Sequence, residues 1–271
     1  MTETNKNLDR QPLYEANGKQ IFKEDIINAL EKSGIEPGDV ILVHSDVSVF
    51  GKLIASSRDT FFKSLVESFQ ECVGDYGTIV MPTFTYSFSE GKVYDKESSK
   101  STVGILTEYF RRLPDVRRTI DPMLSVAVWG KHRDDLIDIG HNSLGQYSIF
   151  DKLHRLNGKV VLFGTRECTF VHHVECMHKV PYRFTKKFKG RIIDGEKNYE
   201  DEYYYFARRL DQNSTSYYKK LERYLMANEL IKEIKLGLDA VLTISTDLLF
   251  KEIYKKLDEN INFLLKEENE G

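Results

Sequence analysis

The chain is predicted to fold as a layered α/β structure: a mixed β-sheet flanked by helices, with an added antiparallel hairpin. Three observations predict it. Short, continuous apolar runs recur, as in Val40-Ile41-Leu42-Val43 and Lys159-Val160-Val161-Leu162-Phe163, and runs of that kind suit strands buried on both faces. Between them lie stretches with apolar residues at helical spacing, and strands separated by helices build layers. Arg191-Ile192-Ile193 followed by Asp194-Gly195 carries the turn chemistry of a hairpin.

Taken in order, residues 1–18 read as a flexible N-terminal arm. A helix runs from Phe22 to Lys32 on Ile26, Ile27 and Leu30, and Gly34 stops it. Pro37-Gly38-Asp39 turns the chain into the Val40 strand. A second helix spans Asp59 to Val73, and Asp75-Tyr76-Gly77 breaks it before the strand Thr78-Ile79-Val80-Met81. Ser101 or Thr102 caps a helix through Arg112. Strands follow at Ser125 to Trp129 and Lys159 to Phe163, and Thr169 caps a helix that carries His172 and His173. After the hairpin come a helix from Ser216 to Ile231, a strand from Ala240 to Ile244, and a helix from Thr246 to near Leu265. No Gly/Pro/Ser-rich linker divides the chain, so residues 19–271 are expected to form one domain.

Composition narrows the class. With 41% hydrophobic and 30% charged residues the chain reads as a folded, soluble protein. No apolar run approaches the roughly 18–20 residues that span a bilayer. The polar start Met-Thr-Glu-Thr-Asn-Lys-Asn has no signal-peptide core, so a cytoplasmic location is expected. Cys72, Cys168 and Cys176 are odd in number and lack C-x-x-C spacing, which fits a reducing compartment. A net charge of −3 gives no footprint for nucleic acid, nor the strongly acidic character that a polycationic substrate rewards. The 15 Tyr and 16 Phe suggest a homodimer.

The richest cluster of chemistry is Thr169-Phe170-Val171-His172-His173-Val174-Glu175-Cys176. On a helix His172 and Glu175 share a face. A carboxylate there accepts the proton of one imidazole nitrogen and leaves the other basic, as a general base requires. Spacing alone favours an idle surface pair over a catalytic one. His172, His173, Cys176 and His178 are alternatively four potential metal ligands within seven positions, though H-E-x-x-H and paired C-x-x-C are absent. A serine hydrolase finds no G-x-S-x-G, although His44-Ser45 ends a buried strand where α/β folds place ligand contacts. Cys168 and Cys176 are candidate thiol nucleophiles or inert buried thiols. Ser101-Thr102-Val103-Gly104 at a helix start suits a phosphate. Lys186, Lys187, Lys189 and Arg191 form a basic cluster, either a phosphate contact or a solvated face.

Further landmarks follow one another along the chain. They are Gly38-Asp39-Val40-Ile41-Leu42-Val43-His44-Ser45, Gly77-Thr78-Ile79-Val80-Met81-Pro82-Thr83-Phe84-Thr85, and Thr102-Val103-Gly104-Ile105-Leu106 with Phe110-Arg111-Arg112. Asp121-Pro122-Met123-Leu124-Ser125-Val126-Ala127-Val128-Trp129-Gly130 and Gly158-Lys159-Val160-Val161-Leu162-Phe163-Gly164 then precede the His172/Glu175 motif, and Val180-Pro181-Tyr182-Arg183 follows it. In this order, from about Phe22 to about Leu265, the chain resembles the aminoglycoside 3-N-acetyltransferase family, whose antibiotic N-acetyltransferase fold differs from that of the GNAT enzymes.

The resemblance implies a CoA-dependent N-acyltransferase with acetyl-CoA or another acyl-CoA as co-substrate, no metal, and direct transfer to a primary amine. It makes His172 the base and Glu175 its supporting carboxylate. It places His44 and Ser45 along the pantetheine arm and thioester, and Thr102, Val103 and Gly104 on the donor side. Backbone N–H groups near Ser45 and the hydroxyls of Thr83 and Thr165 are candidate donors to the oxyanion. One departure bears on the acceptor. Many drug-modifying members carry histidines around the prolines and serine where this chain has Asp121 before Pro122 and Leu124 before Ser125. An amino sugar, an aminoglycoside or a nucleotide-linked sugar for surface glycan, is the expected acceptor. A non-catalytic CoA- or sugar-binding relative, or a metal- or thiol-dependent hydrolase, is the alternative.

Overall fold

The computed structural model describes residues 11–266. Tyr14–Ala16 (β1) pairs antiparallel with Lys19–Ile21 (β2). This corrects the expected arm over its described part. Leu13 and Tyr14 are buried, the Tyr14 hydroxyl donates to the Val47 carbonyl at 2.8 Å, and its ring meets Phe61 edge-on. Residues 1–10 of that arm lie outside the described residues.

Lys23–Ser33 (α1) follows, closed by Gly34 in the left-handed region at φ 104° as the sequence predicts. Val40–Ser45 (β3) leads through the short Lys52–Leu53 (β4), which pairs with β1, into Arg58–Val73 (α2). The Ser57 side chain caps α2 by accepting the Thr60 N–H. Thr78–Pro82 (β5) lies beside β3 in parallel, and Tyr94–Asp95 (β6) follows. Ile105–Phe110 (α3) begins later than expected and is capped by Gly104, because neither Ser101 nor Thr102 is free to cap it. The Thr102 amide and hydroxyl both donate to the Phe84 carbonyl, at 2.9 and 3.0 Å.

Arg117–Arg118 (β7) and Val126–Gly130 (β8) complete one side of the main sheet. Arg133–Ile137 (α4) and Ile149–Arg155 (α5) carry no clear signal in the sequence, being too short to repeat a helical period. Lys159–Phe163 (β9) pairs in parallel with β3 on the side away from β5. Phe170–His178 (α6) then carries the two adjacent histidines, although Thr169 is itself helical and its side chain makes no cap. The hairpin is far longer than its turn signal suggests, with Arg183–Asp194 (β10) and Lys197–Arg208 (β11) paired along their whole length.

Tyr218–Ala227 (α7) is shorter than predicted at both ends. The edge strand Lys232–Leu236 (β12), whose alternation is mostly polar, precedes Asp239–Ser245 (β13). Thr246–Glu259 (α8) stops before the buried Phe263, Leu264 and Leu265, which pack without helical structure.

The main sheet therefore has seven strands in the order β12-β13-β9-β3-β5-β8-β7, parallel at its β9-β3-β5 centre and antiparallel outside it. Alternate residues of the central strands face two cores. Ile41, Val43, Ile79 and Met81 meet α1 and α2, while Leu42, Val80, Val160 and Leu162 share the other core with α5, α6 and α8. Each such side chain contributes about 1.5–3 kcal/mol by leaving water. No helix among the described residues is long and apolar enough to cross a membrane.

Candidate active site

The three parallel strands point their carboxyl ends at one place, where open α/β sheets hold ligands. Loops leaving β3, β5 and β9 there surround a cavity of about 640 Å³ that contains His44, Ser45, Phe84, Gly104, Thr165 and His172. A second cavity, of about 1100 Å³, lies between the β10–β11 hairpin and the segment entering α7. Tyr86, Glu167, His172, Tyr205 and Tyr218 border both. His172 thus stands where two ligands would meet.

Helical spacing brings His172 and Glu175 together as the sequence suggests. His172 Nδ1 lies 2.6 Å from Glu175 Oε2. Arg183 Nη2 also stands 3.1 Å from Nδ1, but the carboxylate contact is shorter and charge-assisted, so the ring proton is assigned to Nδ1, donated to the carboxylate, and Nε2 keeps its lone pair. The Tyr218 hydroxyl, 3.0 Å from Nε2, donates to it. Burial holds that phenol's pKa far above its ordinary value, so it stays a donor.

Glu175 is fully buried and has more partners than spacing reveals. Tyr182 donates its hydroxyl to Oε1 at 3.0 Å. Arg183 Nε stands 2.8 Å from Oε2, an ion-pair distance with its N–H turned off line. The Arg183 Nη2 group also reaches Ser216 Oγ at 3.2 Å. These contacts depend on the end of α6. Lys179 takes φ 61°, Val180 donates back to the Glu175 carbonyl, and the chain doubles over so that Tyr182 and Arg183 close on the carboxylate. Burial by itself raises the Glu175 pKa, but the charges of His172 and Arg183 and the Tyr182 hydrogen bond outweigh it and hold the group below its ordinary value. Sequence reasoning assigns no role to Tyr182 or Arg183, although both sit in the Val180-Pro181-Tyr182-Arg183 landmark.

The residues expected on the donor side divide. His44 and Ser45 border the first cavity, His44 because it follows Leu42 on the sheet face beneath α6. Burial, with the nearby His172 charge, pushes the His44 pKa down to about 4. Val103 and Gly104 also border the cavity, but Thr102 does not, its polar groups being spent on Phe84. The Val103 amide is turned onto Ser101 Oγ, so the expected row of free N–H groups for phosphate is not formed.

The remaining candidates take other places in the fold. His173 is buried, places Nδ1 2.8 Å from the Leu144 carbonyl, and packs against Phe170, His154 and Phe250. His178 pairs with Asp258 at 2.9 Å. Among the described residues no three His, Cys, Asp or Glu side chains gather to hold a metal. Burial pushes the Cys168 thiol up to about 12 and that of Cys176 to about 11, so neither is a thiolate nucleophile near neutral pH. In the basic cluster Lys187 and Lys189 pair with Glu202 and Glu200, and Lys186 alone of the three lysines borders the second cavity. Asp121 is buried and accepts the Met123 and Leu124 amides, so it builds a turn.

The loop between β9 and α6 depends on a glycine. Gly164 has φ +71°, and a Cβ there would stand 2.4 Å from the Asp46 carbonyl. Gly164→Ala is therefore expected to cost more than about 1 kcal/mol of stability, read as a lower urea midpoint at unchanged slope.

Comparison with known proteins adds the following. The sequence profile described as aminoglycoside 3-N-acetyltransferase matches residues 42–258. Aminoglycoside N(3)-acetyltransferase IV of Salmonella sp is 30% identical over 166 residues, 59% of this chain and 60% of that protein, so the chain spans less than two thirds of this relative's length. The structure of AAC-IIIb with CoASH shares the fold at TM-score 0.75 and 18% identity, over 88% of this chain and 96% of that one. AAC-VIa bound to sisomicin does so at TM-score 0.74 and 17% identity, over 88% and 97%.

Proposed function

The chain belongs to the aminoglycoside 3-N-acetyltransferase family, and from that premise we propose that it transfers an acyl group from acetyl-CoA, or a related acyl-CoA, to a primary amine of an amino sugar. One observation carries the reading. An imidazole whose Nδ1 lies 2.6 Å from a fully buried carboxylate stands where two cavities meet. That is the arrangement direct transfer between two bound substrates requires.

The first cavity suits the donor. It is bordered by His44, Ser45, Val103 and Gly104, and its described lining contains no Lys or Arg, which fits the uncharged pantetheine arm and thioester. Acetyl-CoA supplies an activated carbonyl. His172 supplies the base: the amine takes the place at Nε2 that Tyr218 fills, and Nε2 accepts its proton as nitrogen attacks. Glu175 steadies the imidazolium that forms, and Tyr182 and Arg183 hold Glu175 in place.

The second cavity supports a phosphate-bearing acceptor over a polycationic one. Arg183, Lys186, Arg208 and Arg209 border it against Glu167 and Asp211. Of these four basic groups Arg183 is the one committed to a carboxylate among the described residues. Tyr86, Phe184 and Tyr205 add aromatic faces suited to a sugar or base.

A CoA-thiol release assay across a panel of amines tests both parts. The parent is expected to release thiol with amino sugars and to favour those carrying a phosphate or nucleotide. The double variant Lys186→Glu/Arg208→Glu is expected to raise KM for the phosphorylated acceptor about tenfold or more while leaving KM for acyl-CoA unchanged. Faster turnover of kanamycin-type drugs than of sugar phosphates and sugar nucleotides sinks the acceptor assignment. A shift in the acyl-CoA KM alone reassigns the cations to the donor.

A further inference from the structure

The tetrahedral species formed when an amine attacks a thioester carries its charge on oxygen, and pre-placed donors there supply much of the catalysis. Several donors that the sequence offers are already engaged. Thr83 is fully buried and donates both its amide and its hydroxyl to the Ser125 carbonyl. The Asp46 amide, just beyond Ser45, donates to the Phe163 carbonyl. The Thr165 hydroxyl accepts the Glu167 amide and keeps its own proton for the cavity it borders.

His44 is different. It is 8% exposed, it borders the donor cavity, and its Nε2 is sealed from solvent with no hydrogen-bond partner among the described residues. A neutral imidazole has one donor and one acceptor nitrogen. Placing the proton on Nε2 would bury an unpaired N–H, at a cost of about 1–3 kcal/mol. Nε2 is left unpaired in either tautomer, and Nδ1 is the ring nitrogen that is not sealed, so the favoured tautomer carries the proton on Nδ1 of a residue that borders the cavity. Burial and the neighbouring His172 keep the ring neutral, so no second cation forms beside His172 when that residue takes the amine's proton.

We infer that His44 donates its Nδ1–H to the thioester carbonyl oxygen as that oxygen becomes negative. This rests on the transfer reading above. The amine nitrogen forms its bond to the carbonyl carbon, the C=O pair moves onto oxygen against His44, and Nε2 of His172 takes the amine's proton. Collapse restores the C=O, breaks the C–S bond, and returns the proton from His172 to the departing sulfur.

The test compares parent, His44→Phe and His44→Asn. Phenylalanine keeps the ring's bulk without a donor, whereas the asparagine amide places an N–H near the Nδ1 position. His44→Phe is expected to lose about 10²–10³ in kcat with CoA affinity within about twofold of the parent, and His44→Asn to recover at least about tenfold of that loss. A second readout needs no turnover. The infrared carbonyl band of ¹³C-acetyl-CoA bound without acceptor is expected at lower frequency on the parent than on His44→Phe. Parental thiol release with an unchanged kcat in His44→Phe, or an identical band on both proteins, overturns the role of His44 alone. Absence of thiol release by the parent with every amine overturns the transfer reading, and this role with it.

Discussion

His172→Ala is expected to lower kcat by about 10²–10⁴ while leaving KM for acyl-CoA nearly unchanged and the protein folded, with a lower melting temperature because Glu175 loses one of its partners. Nε2 is the basic nitrogen in reach of both cavities, because Nδ1 is committed to Glu175 at 2.6 Å. The fold tolerates the change since the ring faces the cavities and Tyr218 across them, at 3.0 Å, while Phe170, Val171 and Val174 of the same helix fill the core. Turnover with a panel of amines, alongside a thermal melt of both proteins, checks it. A parent that acetylates and a His172→Ala variant that keeps full activity would mean that another group takes the proton.

The second large effect concerns Glu175. Glu175→Ala is expected to destabilise the protein by about 3–5 kcal/mol, because it leaves the buried Arg183 cation without its counter-charge and Tyr182 without its acceptor. Glu175→Gln keeps an acceptor for Tyr182 and costs less stability, yet it cannot balance an imidazolium, so its kcat is expected to fall at least about tenfold. Adding Arg183→Met to Glu175→Gln removes the stranded charge and is expected to recover stability without recovering activity. Urea denaturation and the thiol assay on the three variants separate the structural role from the chemical one. The carboxylate also sets a pH limit. Its folded pKa lies below the ordinary value of 4.5, so its contribution to stability is complete above about that pH and is lost as pH falls through the folded value. In Glu175→Gln this acid-side loss should shrink.

Much of the architecture is legible in the order of amino acids. The buried strands at Val40, Thr78 and Lys159 and the helices at Lys23 and Arg58 announce themselves by periodicity and stop signals, and the structure places them within a few residues. The His172/Glu175 pair is legible for the same reason: helical geometry alone puts residues three apart on one face. Where a polar side chain had two available partners, the sequence misled. Thr102 looks like a cap because its neighbours look helical, and it is not one because the Phe84 carbonyl, 18 residues away, takes both its donors. Tyr14 sits in a stretch that reads as a loose arm, and it is fixed by Val47 and Phe61.

The sequence by itself determined the strand and helix alternation, the family landmarks in their order, and the imidazole–carboxylate pair at the centre of the site. The tertiary structure decided which nitrogen of His172 faces Glu175, that Tyr182 and Arg183 close on Glu175, that Tyr218 reaches His172 from 46 residues away, and that His44 Nε2 is buried without a partner among the described residues. The division has a physical cause. Local spacing follows from the fixed geometry of the backbone, whereas proton position and effective charge depend on burial and on partners that only the folded chain brings within hydrogen-bond distance.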